Sequence, residues 1–206
     1  MAEKANKVKF NLKNTHYALL TIGEDGSTTF GNPVPMPGSV SISLDANGEP
    51  ENFYADGGVY YVINNNCGYD GDLELALIPE SFRTDVLKET LDSKGVLIEN
   101  SEVELAAFAL LFEFDGDQKH IRHVLYNCSA SRPGIEGKTN EDSKEVQTEK
   151  LSLKAVPLAN GMVKAKTGNT TDATTYANWY KAVYVPAAES DVATQSAAKS
   201  AKAVKE

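Results

Sequence analysis

The sequence predicts a mainly β protein with one short flanking α-helix, and three observations predict it. Turn dipeptides recur along the chain, at Asp25-Gly26, Asn47-Gly48, Asp70-Gly71, Asp115-Gly116 and Asn160-Gly161, most with apolar or alternating runs on either side. Glycine after Asn or Asp supplies the positive φ of a tight β-turn, so each pair reads as a hairpin signal. Two runs, Asp72 to Ile78 and Ala107 to Phe114, show the period of two that marks strands, and helical spacing is clearest in one stretch after Pro79. A length of 206 residues with 41% apolar content suits one domain with a substantial core.

The expected strands are Val8 to Leu12, His16 to Ile22, Val40 to Leu44, Val59 to Asn65, Asp72 to Ile78, Ala107 to Phe114, His120 to Ser129, Leu151 to Leu158 and Met162 to Lys166. In the fifth, Leu73, Leu75 and Leu77 face one way and Asp72, Glu74 and Ala76 the other, giving one dry and one wet face. In the sixth, Phe108, Leu110, Phe112 and Phe114 form one apolar stripe, while Ala107, Ala109 and Leu111 leave the opposite face apolar too. That strand is predicted to be central and covered on both sides. Asp115-Gly116-Asp117 turns it into the next, making the clearest hairpin in the chain.

The helix is placed at about residues 79–91. Pro79 suits a first turn, Glu80 favours the positive end of the helix dipole, and Phe82, Val86 and Leu87 recur at helical spacing before Gly95 ends the pattern. Residues 131–146 are polar, charged and without period, which predicts a long exposed loop and a candidate contact element. Tyr176, Trp179, Tyr180, Val183 and Tyr184 form an aromatic cluster, read as a short helix or turn sealing the core. From Pro186 to Glu206, Ala, Ser and Lys dominate, so residues 187–206 read as a low-complexity tail.

Charge is unevenly distributed. From Asn14 to Phe82 there is no Lys or Arg, but there are ten carboxylates, whereas residues 1–13 hold Lys4, Lys7, Lys9 and Lys13 against one Glu3. The net charge is −9. An acidic half of this kind repels phosphate backbones, which excludes tight nucleic-acid binding there. The opening residues lack the apolar core of a signal peptide and the longest apolar run, Leu105 to Phe112, is eight residues, so no membrane partner is expected. Cys67 and Cys128 are read as two free, packed thiols.

Catalytic, cofactor and metal motifs are not found. His120 and His123 are three apart on an expected strand and so on opposite faces, and His16 stands alone. Asp70-Gly71-Asp72-Leu73-Glu74 lacks the ligand spacing of a calcium loop and reads as a turn entering a strand. There is no phosphate loop, dinucleotide fingerprint or nucleophile elbow. The chain is therefore expected to be no enzyme and to need no cofactor. An alternative reading is a β-sandwich carbohydrate-binding module using Trp179, Tyr176 and Tyr180 as a platform for sugar rings.

Several runs together carry a family resemblance. They are Phe53-Tyr54-Ala55-Asp56, Val59-Tyr60-Tyr61-Val62 with Asn64-Asn65-Asn66 and Gly68-Tyr69, and Gly71-Asp72-Leu73-Glu74-Leu75-Ala76-Leu77-Ile78-Pro79 with Phe82-Arg83-Thr84-Asp85-Val86-Leu87. Further along are Phe108 to Gly116, Arg122 to Cys128, Lys164 to Gly168 and Asn178-Trp179-Tyr180. As a set, over residues 1–185, they resemble the major tail proteins of long-tailed, siphovirus-type phages and prophages of Gram-positive bacteria.

The resemblance implies a tail tube protein: a β-sandwich or partly rolled barrel that forms stacked hexameric rings, a hollow conduit for DNA ejection in the virion tail, assembled in the host cytoplasm. It implies as partners further copies of the chain and the tape-measure, tail-terminator and distal tail proteins, with DNA passing through unheld. Under it, Asp45, Glu49, Glu51, Asp56, Asp70, Asp72 and Glu74 are candidates to line the lumen and repel DNA. Lys4, Lys7, Lys9 and Lys13 of a basic N-terminal arm, residues 1–13, and Arg132, Glu136, Lys138, Glu141 and Asp142 of the 131–146 loop are candidates to reach a neighbouring subunit from the body, residues 14–186.

Overall fold

The structure is a computed structural model that describes residues 5–140 and 144–186. Lys4, Glu141, Asp142 and the segment 187–206 lie outside the described residues. In chain order the elements are β1 (Lys9–Ile22), β2 (Thr28–Phe30), β3 (Val34–Pro35), β4 (Ser39–Asn47), β5 (Glu51–Ala55), β6 (Gly58–Ile63) and β7 (Gly68–Leu75). Then follow α1 (Glu80–Asp85), β8 (Thr90–Leu91), β9 (Leu97–Ile98), β10 (Phe108–Gly116), β11 (Ile121–Ala130), β12 (Glu149–Ala155), β13 (Lys164–Lys166) and α2 (Ala173–Asn178). The mainly β expectation holds.

Nine strands form one antiparallel sheet with the path β2-β1-β10-β11-β12-β7-β4, with β13 added to β11 and β3 to β1. The sheet curls until its last strand returns to its first: Ser39 Oγ donates to Thr15 Oγ1 at 2.7 Å and the Met36 amide to the Thr15 carbonyl at 2.7 Å. No ladder joins β4 to β1, so the roll stays open along the other half of that seam. β10 is central, as its two apolar faces require: Phe108, Leu110 and Phe112 point into the roll with Leu73, Leu75, Leu151 and Phe82, while Ala109 and Leu111 pack outside against Val124, Tyr126 and Trp179.

Several elements depart from expectation. Val8 to Leu12 and His16 to Ile22 are one strand, β1, bent by bulges between Phe10 and Leu12 and between Lys13 and His16, where Asn11 and Asn14 take positive φ of 55° and 51°. Asp70-Gly71 is no turn but the middle of β7; a Cβ on Gly71 would sit 1.9 Å from the Ser43 carbonyl oxygen, so the glycine serves close strand approach. The helix is six residues and not thirteen. Lys88 at φ 60° lies just past its end, and the Glu89 amide turns back to the Arg83 carbonyl at 3.0 Å, satisfying one of the helix's last carbonyls. Arg83 is then held by Glu89 at 3.1 Å and Glu149 at 2.9 Å, fixing α1 over the inner core.

Candidate assembly surfaces

The outer face of the rolled sheet changes character across the β11–β12 boundary. Over β1, β10 and β11 it is apolar and covered; over β12, β7 and β4 it is polar and bare. Leu73 and Leu75 point inward, so Asp70, Asp72 and Glu74 point outward, and the register sets Asp45 opposite Asp70, Ser43 opposite Asp72 and Ser41 opposite Glu74. From the other side β12 brings Lys154, Ser152 and Lys150 beside the same three acids.

Four of the seven candidate lumen acids therefore share one face, but that face is not free of cations. Lys150 Nζ lies 3.0 Å from Asp72 and Lys154 Nζ 4.0 Å from Asp70. The Ser152 hydroxyl and then Lys150 hold Asp72 below its ordinary pKa, and the hydroxyls of Thr148 and Ser41 do the same for Glu74. Glu49, Glu51 and Asp56 lie elsewhere, on an arm.

That arm is β5–β6, a two-stranded hairpin off the main sheet and continuous with the β4–β7 pair below it. At its base the Cys67 amide donates to the Asn47 carbonyl at 2.9 Å, and Gly48 leaves no room for a Cβ beside the Asn65 carbonyl. At its tip Asp56 and Gly57 have φ of 52° and 82°, the two left-handed residues of a type I′ turn. Phe53, Tyr54, Val59, Tyr60, Tyr61, Val62 and Ile63 are all exposed, Tyr54 at 64% and Tyr60 at 72%. A lone two-stranded hairpin is marginal in water, and an apolar one is a surface for association.

The N-terminal segment lies on its own subunit where it is described. Lys9 and Lys13 belong to β1, opposite Gly116 and Glu113, and Lys13 Nζ pairs with Asp115 at 2.7 Å. Lys7 donates its amide to Asp117 at 2.7 Å, and the Asn6 side chain bridges Gln118 and Lys119. Residues 131–140 and 144–148 form the long exposed connection expected, with Ile135 fully in solvent; Arg132 pairs with Glu99 at 3.1 Å, Lys138 bonds Gln147, and Glu136 is exposed.

An ion pair that the sequence did not single out anchors the aromatic cluster. Glu113, 2% exposed, accepts from Arg122 Nε at 2.9 Å, Asn14 Nδ2 at 2.6 Å and the Tyr180 hydroxyl at 3.2 Å. The guanidinium lies 3.8 Å from the Tyr176 ring centre and donates to the Tyr176 carbonyl. Asp172 caps α2 through the Thr174 and Thr175 amides, and Trp179 seals the outer core at 2% exposure. The sugar-platform alternative is corrected here: its central ring, Trp179, is buried and cannot stack on a ligand. Cys128 is buried as expected, but Cys67 is exposed at the base of the arm and not packed.

Among the described residues no group of three or more His, Cys, Asp or Glu is placed to hold a metal ion, and no helix is long and apolar enough to cross a membrane. No protein-family model and no curated protein matches the chain. Solved structures that match include the sheath/tube terminator of the PVC extracellular contractile injection system in its extended state, with a TM-score of 0.44 and 8% identity over 79% of this chain and 99% of that one. Another is the tube-terminating cap of the anti-feeding prophage, with a TM-score of 0.44 and 7% identity over 80% of this chain and 95% of that one. At that overlap the likeness fixes nothing about function.

Proposed function

We propose that this chain is a structural, non-catalytic subunit of a phage tail tube that self-assembles into stacked hexameric rings, forming a conduit for DNA. The observation that carries the reading is the β5–β6 hairpin, whose exposed rings need a protein surface to cover them. Covering its four aromatic rings would remove on the order of 400 Å² of apolar surface, about 10 kcal/mol gross, against a cost of association of similar size. One such contact is weak; a closed ring repeats it around the circle and removes the free ends.

The resemblance in the arm and strand motifs supports the same reading. So does the polar outer face of β4, β7 and β12: Asp45, Asp70, Asp72 and Glu74 outnumber Lys150 and Lys154, and a wall of that sign lets DNA slide without being held. The tube works in the virion tail after assembly in the host cytoplasm, where it meets tape-measure, tail-terminator and distal tail proteins. Negative-stain electron microscopy of the purified full chain over a concentration series tests it. Rings or hollow tubes are expected; a monomer at every concentration overturns the proposal.

A further inference from the structure

The open seam of the roll is a cavity of about 350 Å³ between the second half of β4 and the start of β1. Its walls are aromatic, with Phe112, Phe114 and Tyr69 around His123, whose ring stacks on Phe112 with centroids 5.1 Å apart. Its rim is cationic: Lys9 Nζ lies 4.6 Å from the Phe114 ring centre, Lys164 Nζ lies 4.2 Å from that of Tyr69, and Lys166 is on the adjoining β13. Among the described residues none of these three lysines has a carboxylate within 4 Å. Burial, and then Lys166, Lys9 and Lys164, push the His123 pKa down to about 4, so these three charges act together on the cavity.

The β5–β6 hairpin is the complement of this seam. It is apolar and aromatic, it carries Glu51 and Asp56, and it belongs to the stretch of chain without a Lys or Arg. It cannot fill its own seam, because β4, which leads into it, forms the seam's edge; bending back would break the β4–β7 ladder.

We propose that the β5–β6 hairpin of one subunit lies along the seam of the next, with Tyr54 or Tyr60 against the aromatic walls and Glu51 at its base and Asp56 at its tip against Lys9 and Lys164. The inference rests on the self-assembly reading and names its contact. Donor and acceptor are different surfaces, so the contact runs head to tail, the kind that makes a ring when its rotation closes and an open filament when it does not. It also moves Glu51 and Asp56 from the lumen wall to a subunit boundary.

Paired charge reversals in the full-length chain test it. E51K/D56K makes both hairpin and seam basic, and K9E/K164E makes both acidic, so each variant alone repels itself and should need at least about tenfold more protein to assemble in sedimentation velocity. Mixed in equal amounts, the two alternate with every contact matched and assembly returns. Thermal melting confirms that each variant is folded. If the seam variant does not fold, carbodiimide cross-linking of assembled wild-type chain, mixed from light and heavy isotopes, reads the same contact as inter-chain links from Glu51 or Asp56 to Lys9 or Lys164. Wild-type assembly with variants that assemble equally well, or links from these lysines only to other acidic segments, overturns the seam contact and leaves the tube reading standing. A wild type that never assembles overturns both.

Discussion

Replacing Glu113 with Ala should loosen the whole C-terminal cap. The carboxylate is 2% exposed and accepts three hydrogen bonds, from Arg122, Asn14 and Tyr180. Its removal leaves a largely buried guanidinium, an amide and a phenol without their acceptor, and breaking one side of a buried ion pair costs about 3–5 kcal/mol. The Arg122 side chain retains 16% exposure, so solvent offsets part of this and the lower end, about 3 kcal/mol, is the expectation. For a chain of this size that lowers Tm by roughly 6–12 °C.

The assay has a built-in reporter. Trp179 is the chain's one tryptophan, and its ring stacks on Tyr184 at 5.6 Å while Nε1 donates to the His123 carbonyl at 3.4 Å. E113A should shift Trp179 emission to the red at temperatures where the wild type is unchanged. The double variant E113L/R122M, which removes both charges, should cost less than E113A alone. A Tm within about 2 °C of wild type together with unmoved Trp179 emission would show that the pair does not hold the cap.

Stability should decline on acidification in two stages. His123 titrates from 6.5 unfolded to about 4 folded, so the unfolded chain binds the extra proton between those values; the contribution is complete above pH 6.5 and is lost as pH falls towards 4. Asp72, Glu74 and Asp115 are depressed below their ordinary values, so their contributions are lost at still lower pH. In urea titrations H123F should flatten the first stage alone. Gly71→Ala should cost at least about 2 kcal/mol of stability, read as a lowered urea midpoint, because its Cβ would meet the Ser43 backbone, and an unchanged midpoint would show that β4 and β7 can part there. D45K/D72K should assemble as wild type does but yield tubes that retain DNA at low salt, and tubes of this variant that still fail to bind DNA would remove these acids from the lumen.

The strands with the strongest patterns are legible in the sequence because local pattern and tertiary burial agree there: Leu73 and Leu75 of β7, and the two apolar faces of β10; Leu77, expected on the same dry face, lies past the end of β7 and is exposed. The failures trace to non-local causes. Asp70-Gly71 has turn chemistry, yet the glycine is needed by a carbonyl on β4, twenty-eight residues earlier in sequence. Val59 to Asn65 has the pattern of a strand, and β6 runs Gly58–Ile63, but the apolarity of Val59 to Ile63 does not reveal that neither face is covered or that Asp56-Gly57 makes the turn. The acidic stretch has the composition of an acidic surface; pairing with β12 brings Lys150 onto it from 76 residues beyond Glu74 and Lys154 from 84 beyond Asp70, which no charge count along the chain could reveal. The seam lysines are likewise far apart in sequence, and only the roll brings Lys9 to Lys164.

The N-terminal segment changes most in meaning. Because Lys9 to Lys13 are a paired part of β1, deleting residues 1–13 removes strand as well as reach, and loss of assembly by that deletion would not separate an arm from a destabilised sheet. The hairpin is a cleaner handle, since nearly all its side chains are exposed.

The most direct measurement is an electron cryomicroscopy reconstruction of the assembled full chain. The account predicts a hollow ring in which residues 51–63 are covered by a second copy and the outer face of β4, β7 and β12 turns toward the channel. A ring with that hairpin bare in solvent and that face on the outside would contradict it.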